Sequence, residues 1–313
     1  MALHPDLDAF LQLAAAAPPL HGMSVADARR AYGSSTETLD APGPDVPIES
    51  VLLERADGSP LSARLYRGSP ERAAPTLLFF HGGGYVLGDL DSHDGLCRAL
   101  AFHGGCSVVS VDYRRAPEHR FPAAFDDARS AWVAVTRRTG TLGIDPQRLA
   151  VGGDSVGGSL AAAVCISARD HGLPRPSFQW LLYPCLAAWQ DTPSHVRLAT
   201  GHLLEARTLQ WMFTHYLRDD VDRRDWRFAP LEAADLRQLP PAHVDLAEYD
   251  PLVDEGRDFV RRLQAAGVAT TLREHAGVVH DFARLGNVMG DGDDRRRRLG
   301  TGLRDAFASL PRP

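Results

Sequence analysis

The sequence has few cysteines, no long apolar run and no excess of positive charge, and each of these absences excludes a class of protein. Only four cysteines occur in 313 residues, and none has the Cys-x-x-Cys spacing of zinc or redox sites, so we expect buried free thiols. No apolar run reaches about 18 residues, which argues against a transmembrane helix. The formal net charge of −6 argues against a dedicated nucleic-acid surface.

Signals for targeting and for nucleic-acid binding are also weak. The basic cluster at residues 295–298 directly follows acidic residues, so we interpret it as a solvated helix face rather than a nucleic-acid site. The opening stretch MALHPDLDAFLQLAAAAPPL carries two aspartates and no basic run, unlike a secretory signal, so we expect a cytoplasmic protein. We expect no metal, no organic cofactor and no membrane partner.

Strand-like and helix-like patterns alternate through most of the chain, which predicts an α/β protein. Residues 48–53 and 61–66 flank the turn signal Asp57-Gly58 and predict a hairpin. Other predicted strands lie at 76–80, 107–113, 148–152, 178–183, 242–247 and 269–274, and predicted helices at 93–104, 123–138, 156–171, 254–266 and 292–309. This alternation indicates a mostly parallel central sheet with helices on both faces.

Two segments break the alternation. Residues 1–45 are predicted to be helical and then loop-like, with a short second helix at 26–32. Residues 186–225 have helix-like runs and no strand pattern, which suits an insertion over the edge of the sheet. We therefore divide the chain into an N-terminal segment (1–45), a core in two parts (46–185 and 226–313) and an insertion (186–225).

The stretch VGGDSVGGSL at residues 151–160 joins an apolar run to a helix-like run. Its Gly-x-Ser-x-Gly pattern around Ser155 is typical of a nucleophile elbow. Glycine at 153 and 157 leaves room where the sharp turn brings the residues on either side together. The helix N-terminus behind Ser155 favours developing negative charge. We therefore predict that Ser155 is a nucleophile.

A second glycine-rich motif, HGGGY, follows an apolar run at residues 81–85. Three successive glycines after a buried strand leave bare backbone N–H groups facing a cavity. Together with the N–H of Val156 they could form an oxyanion hole. We expect His81 to orient this loop through hydrogen bonds rather than to carry protons.

A serine nucleophile needs a base and a group that orients the base. Behind a nucleophile elbow, the acid and then the histidine follow the serine along the chain. Asp250 ends a predicted strand, and we prefer it to Asp254, which falls in the next helix. His280 lies in the loop after the last strand, and we prefer it to His275, which closes that strand.

Together these motifs resemble the hormone-sensitive-lipase-like family of α/β-hydrolase esterases, the GDSAG type. The resemblance runs from about residue 48 to residue 313 and is carried by HGGGY, GDSVGG, DYRRAPEHRFPAA, EYDPLVDEG and the late histidine. It implies an α/β-hydrolase fold in which residues 1–45 and 186–225 form a helical cap. It implies a triad of Ser155, Asp250 and His280, oxyanion donors at Gly83, Gly84 and Val156, and a supporting role for residues 116–119.

The sequence departs from the family pattern at two positions. Val156 stands where the family usually has alanine, and its branched side chain could crowd an acyl group. Asp281 follows the histidine where the family usually has glycine. Its carboxylate could favour the imidazolium form of His280 or could pair with Arg284, and we favour the pairing.

We expect a serine carboxylesterase that hydrolyses short- to medium-chain acyl esters of small molecules. Amide or lactone hydrolysis at the same triad stays an alternative, as does a non-catalytic ligand-binding protein like the gibberellin receptors, which keep the fold and lose a triad residue. A homodimer through residues 269–310 is compatible with the sequence. The candidate pocket residues, each of which could instead pack in the cap, are Tyr85, Leu204, Trp211 and Met212.

Overall fold

The computed structural model describes residues 2–310 and places an eight-stranded sheet at the centre. The strands are β1 (Ile48–Glu54), β2 (Pro60–Arg67), β3 (Ala74–Phe80), β4 (Ser107–Val111), β5 (Ile144–Asp154), β6 (Gln179–Leu182), β7 (Ala242–Tyr249) and β8 (Thr270–Val279). Their order is β1-β2-β4-β3-β5-β6-β7-β8. The pairs β1–β2 and β2–β4 are antiparallel and the others are parallel, so the predicted mostly parallel sheet is confirmed.

Helices cover both faces of the sheet. They are α1 (Pro5–Ala16), α2 (Val25–Leu39), α3 (Asp94–Gly104), α4 (Ala123–Arg137), α5 (Thr139–Leu142), α6 (Val156–Asp170), α7 (Pro193–Arg197), α8 (Ala206–Tyr216), α9 (Val253–Ala265) and α10 (Gly292–Ala308). Short 3₁₀ turns lie at Leu20–Gly22, Asp220–Arg224, Pro230–Glu232 and Phe282–Arg284.

Strand β3 contains a continuous apolar run because both of its faces are covered. Leu77 and Phe79 point into one hydrophobic cluster with α3 and α10, while Leu78 and Phe80 point into the other cluster with α4, α6 and α9. All four side chains are fully buried. A strand covered on both faces is apolar at nearly every position, because successive side chains point to opposite faces. The exception in β3 is Thr76, whose buried hydroxyl donates to the Ala74 carbonyl at 3.0 Å.

The N-terminal helix α2 is longer than the predicted stretch at 26–32. The Ser24 side chain accepts a hydrogen bond from the Asp27 N–H and caps its start. Its last turns contain Ser35 and Thr36, which are weak helix formers. These turns are stabilised by packing and by a hydrogen bond from Arg284 to Thr36, which no local pattern signals.

The N-terminal segment and the 186–225 stretch contact each other beside the carboxyl ends of the strands. The His21 ring Nδ1 lies 3.0 Å from the Thr208 hydroxyl on α8. Arg29 of α2 forms a two-pronged ion pair with Glu118 at 2.8 and 2.7 Å. The division of the chain into core, N-terminal segment and insertion stays a prediction.

Three sequence expectations concern features of the whole chain. Among residues 2–310, no helix is long and apolar enough to cross a membrane. In the same range, no three His, Cys, Asp or Glu side chains are grouped so that they could hold a metal ion. The four cysteines are buried free thiols, as predicted.

Candidate active site

Three side chains from the ends of three parallel strands meet at the carboxyl edge of the sheet. Ser155 follows β5, Asp250 follows β7 and His280 follows β8. His280 Nε2 lies 3.0 Å from Ser155 Oγ, and His280 Nδ1 lies 2.6 Å from Asp250 Oδ2. Their exposed fractions are 7%, 1% and 4% for Ser155, Asp250 and His280. This geometry can activate the serine through the histidine and orient the histidine through the carboxylate.

The two residues rejected at the sequence level lie in other contacts. Asp254 accepts a hydrogen bond from the Ser194 N–H at 2.8 Å and pairs with Arg257. His275 Nε2 lies 2.8 Å from Asp245. The structure therefore brings Asp250 and His280, rather than these alternatives, to Ser155.

The backbone at Ser155 has the strained geometry of a sharp strand-to-helix turn. Its φ and ψ are 53° and −123°, a region that residues with side chains rarely adopt. A Cβ on Gly153 would lie 2.4 Å from the Gly157 carbonyl, and a Cβ on Gly157 would lie 1.9 Å from the Phe80 oxygen. Both glycines are therefore needed for the turn to form.

We expect Gly157→Ala to lower the stability of the fold by about 3 kcal/mol or more, because the added methyl group would overlap a backbone carbonyl. The measurement is the free energy of unfolding in urea. Gly33→Ala is the matched control, since a Cβ there meets nothing within 4 Å on an exposed turn of α2. Equal stabilities of the two variants would contradict the steric argument.

The glycine loop after β3 leaves backbone donors free beside the elbow. The Gly83 carbonyl accepts hydrogen bonds from the N–H groups of Val86 and Leu87 at 3.1 and 2.8 Å. The φ angles of Gly83 and Gly84 are +104° and +62°. Throughout the part of the chain that the structure describes, the N–H groups of Gly83, Gly84 and Val156 donate to no protein acceptor. They can therefore serve a bound oxyanion.

Buried polar contacts hold this loop in place. Asp154 accepts a hydrogen bond from the Gly82 N–H at 2.9 Å, and its other oxygen lies 3.3 Å from His93 Nε2. Tyr113 donates to the His81 carbonyl at 2.7 Å, while His81 Nδ1 donates to the Gly82 carbonyl at 2.8 Å. Burial lowers the pKa of His81 to about 3, which keeps it neutral. His81 thus orients the loop, as expected.

Asp154 and His93 were missed at the sequence level. Asp154 stands in the GDSVGG motif beside the nucleophile, so its position was visible and its role was not. Burial alone would raise the pKa of Asp154, but its contact with His93 and the charge of Arg284 outweigh burial and lower it. A charged carboxylate is the stronger acceptor for the Gly82 N–H.

The charges around His280 favour its protonated form. Burial alone would lower the pKa of His280, but the charge of Asp250 and its hydrogen bond outweigh burial, and Asp281 and Asp154 add to them. Together they raise the pKa to about 9. The site therefore stabilises the imidazolium that forms when the histidine takes a proton.

The structure locates both departures from the family pattern. Asp281 pairs with Arg284 at 3.1 Å, as expected, but the guanidinium is buried rather than at the surface. Asp281 has φ +65°, in the left-handed region where glycine is the most easily accommodated residue. The Val156 side chain is buried in the same hydrophobic cluster as Tyr85 and Met212.

The four candidate pocket residues have different surroundings. Met212 of α8 presses on the glycine loop, since a Cβ on Gly84 would lie 2.0 Å from its Sδ. The Tyr85 ring stacks on Tyr216 with centroids 3.9 Å apart and is 1% exposed. The other two, Trp211 and Leu204, are partly buried against the same cluster. Met212 is thus the candidate that the structure brings from the insertion to the loop.

Comparison with known proteins gives matches along nearly the whole chain. A family model described as the alpha/beta hydrolase fold matches residues 77–284. The ethyl acetate hydrolase of Pseudomonas putida is 43% identical over 306 residues, which covers 94% of this chain and 96% of that protein. The carboxylic ester hydrolase LipN of Mycobacterium tuberculosis is 45% identical over 251 residues, covering 78% of this chain and 67% of LipN.

Solved structures of esterases also superimpose on nearly the whole chain. An ester hydrolase from the metagenome of Lake Arreo superimposes with a TM-score of 0.93 at 36% identity, covering 98% of this chain and 100% of that chain. The hyperthermophilic esterase of Pyrobaculum calidifontis has a TM-score of 0.93 at 36% identity, covering 97% and 99%.

Proposed function

This chain belongs to the α/β-hydrolase family, in its hormone-sensitive-lipase-like branch, and from that premise we propose that it cleaves short- to medium-chain acyl esters through an acyl-enzyme on Ser155. It is a carboxylic ester hydrolase. The observation that carries the proposal is the chain of contacts from Ser155 Oγ through His280 to Asp250, at 3.0 and 2.6 Å.

In the first half of the reaction, Ser155 Oγ attacks the ester carbonyl and His280 Nε2 takes its proton. The carbonyl oxygen becomes an oxyanion that the N–H groups of Gly83, Gly84 and Val156 bind. Removing one such donor typically costs about 10²–10³ in kcat. The tetrahedral intermediate collapses as the imidazolium protonates the leaving alcohol, which gives the acyl-enzyme.

In the second half, His280 takes a proton from water, and the resulting hydroxide attacks the acyl carbonyl. The same N–H groups bind the second oxyanion. The C–O bond to Ser155 then breaks and the carboxylic acid is released, while the imidazolium of His280 returns its proton to Ser155 Oγ. Asp250 holds the imidazole in the tautomer with hydrogen on Nδ1 throughout, and its charge stabilises the cation between the steps.

The proposed chain-length range rests on Met212 and on the low exposure of the serine. Met212 covers the glycine loop from α8, and Ser155 is only 7% exposed. A covered site of this kind suits small acyl groups better than long lipids. The relative from Pseudomonas putida is named for ethyl acetate, an ester with a two-carbon acyl group.

The test is a series of p-nitrophenyl esters from acetate to laurate. We expect kcat/KM to peak at short to medium chains and to fall by laurate. Met212→Ala removes the thioether above the loop, and we expect it to raise the ratio of kcat/KM for octanoate to that for acetate by about tenfold.

Thr214→Ala is the matched control, because Thr214 lies on the same helix with its hydroxyl bonded to the Gln210 carbonyl at 2.9 Å. Identical chain-length profiles for the two variants would show that Met212 does not line the acyl pocket. A native profile that peaks at laurate would contradict the proposed range. Cleavage of matched amides or lactones in preference to esters would favour those alternative reactions.

The proposal extends to the setting and partners of the enzyme. The four buried free thiols support a reducing compartment and hence the cytoplasm. The partner is a small-molecule ester, with neither nucleic acid nor a membrane involved. A homodimer is supported only by the edge position of β8 in the sheet, so it stays a prediction.

A further inference from the structure

Arg284 is a buried cation that the proposed reaction does not use. It lies in the 3₁₀ turn Phe282–Arg284, which follows His280 and Asp281 in the loop after β8, and is 6% exposed. Burying a guanidinium is costly unless its N–H groups are bonded. All three nitrogens of Arg284 have partners, so its position is specified by its surroundings.

The partners of Arg284 come from three separate parts of the chain. Nε donates to the Ser92 carbonyl at 3.1 Å, and Nη2 donates to the Thr36 hydroxyl at 2.9 Å. Nη1 donates to the Tyr32 hydroxyl and, at 3.1 Å, to Asp281 Oδ2. The guanidinium carbon also lies 4.7 Å from the centre of the Tyr32 ring. Two side chains of α2 and the Asp281 carboxylate therefore accept hydrogen bonds from the same guanidinium.

Asp281 is the residue next to the catalytic histidine in the chain. Its left-handed backbone turns the chain directly after His280, and its carboxylate is 21% exposed. The charged and titratable groups that act on the imidazole are Asp250 after β7, Asp154 at the end of β5, Asp281 in the loop, and Tyr183 after β6. Three of these are carboxylates. The cation packed against them is Arg284, which bonds to Asp281 and to Tyr32 on α2 and is also close to Asp154 and Tyr183.

We propose that Arg284 is a positioning residue that acts through Asp281: it compensates the carboxylate beside His280 and fixes the loop that carries this histidine to α2. The inference rests on the proposed function, because it assigns His280 the role of base. Without Arg284, the Asp281 charge would act on the imidazole uncompensated, and the loop would lose its tie to α2.

The sign of the effect follows from the protonation state that the reaction needs. His280 must be neutral to take the proton of Ser155, so activity falls as the pH drops through the pKa of His280. A nearby anion raises that pKa and a nearby cation lowers it. Loss of the cation therefore moves the acid limb of the pH profile to higher pH, and loss of the Asp281 charge moves it to lower pH.

The experiment measures kcat/KM for p-nitrophenyl acetate against pH in four proteins: native, Arg284→Gln, Asp281→Asn and the double variant. We expect the acid limb to move up by about half a pH unit in Arg284→Gln and down by about as much in Asp281→Asn. The double variant should return close to the native limb. On the plateau above the acid limb, where His280 is neutral in both proteins, we expect Arg284→Gln also to lower kcat/KM by about tenfold, because the base is less well placed.

Arg261→Gln is the matched control, since Arg261 forms an exposed pair with Asp258 at 2.9 Å, also three residues apart. Limbs that superimpose for native, Arg284→Gln and the control would overturn the proposal. If thermal unfolding shows that Arg284→Gln does not fold, Asp281→Asn decides: asparagine also tolerates left-handed backbone, and an unmoved limb there overturns the proposal.

The proposed function fails in a different way. If native protein does not hydrolyse the ester, or if Ser155→Ala retains the native rate, the assignment of the base fails with it. If native protein is active and Ser155→Ala is inactive, the function stands, and the four pH profiles then test Arg284 alone.

Discussion

Ser155→Ala is expected to lower kcat for p-nitrophenyl acetate by about 10⁴–10⁶-fold, since it removes the atom that forms the acyl-enzyme. The backbone N–H groups of Gly83, Gly84 and Val156 stay in place and still polarise the carbonyl, so a small residual rate over water is expected. The fold should be unaffected. Alanine keeps the Cβ of serine, so the strained backbone at φ 53° costs the same in both proteins.

The matched control for this prediction is Ser167→Ala. Ser167 lies on α6, twelve positions after Ser155, with its hydroxyl 3.4 Å from His171 Nδ1. Among residues 2–310, no carboxylate bonds to the His171 ring as Asp250 bonds to His280. We expect its kcat to be close to native. Initial rates and thermal unfolding are measured for native protein and both variants. A folded Ser155→Ala protein that keeps more than about 1% of the native rate would show that the nucleophile lies elsewhere.

The triad could be predicted from sequence because each member is marked by local patterns. Ser155 is framed by glycines that the sharp turn requires, and Asp250 and His280 follow predicted strands. In a parallel sheet, the carboxyl ends of the strands meet at one edge, so three strand ends bring the three side chains together. The alternation of strand-like and helix-like patterns predicted the eight strands and the long helices of the core, most of them with bounds within a few residues of those observed.

The support around the triad could not be predicted, because its contacts join distant positions without a repeating pattern. Arg284 bonds to Tyr32 and Thr36, about 250 positions earlier in the chain. His93 meets Asp154 across 61 positions. Helix α2 was predicted too short for the same reason, since tertiary contacts stabilise its last turns against their weak propensity.

Asp250→Asn is expected to lower kcat by about 10⁴-fold without unfolding the protein, through a change of tautomer at His280. Asp250 Oδ1 accepts a hydrogen bond from the Leu252 N–H at 2.8 Å, while Oδ2 faces His280 Nδ1 at 2.6 Å. In the variant, the amide oxygen satisfies the Leu252 N–H, so the NH₂ group turns toward His280. Nδ1 must then accept, the proton moves to Nε2, and His280 can no longer take the proton of Ser155.

The pH profile separates this mechanism from simple loosening of the site. Asp250 is the main group that raises the pKa of His280 against the effect of burial, so the remaining activity of Asp250→Asn should have its acid limb at lower pH than native. Asp254→Asn is the control: it lies four residues on, bonds Ser194 and Arg257, and should keep a near-native kcat. A loss below about tenfold in Asp250→Asn, or an acid limb that moves to higher pH, would mean that another group orients His280. In Asp250→Asn, the Leu252 N–H holds the amide oxygen, so the NH₂ group must face His280 and fix the wrong tautomer. For this reason, we expect this isosteric change to lower kcat nearly as much as loss of the base itself.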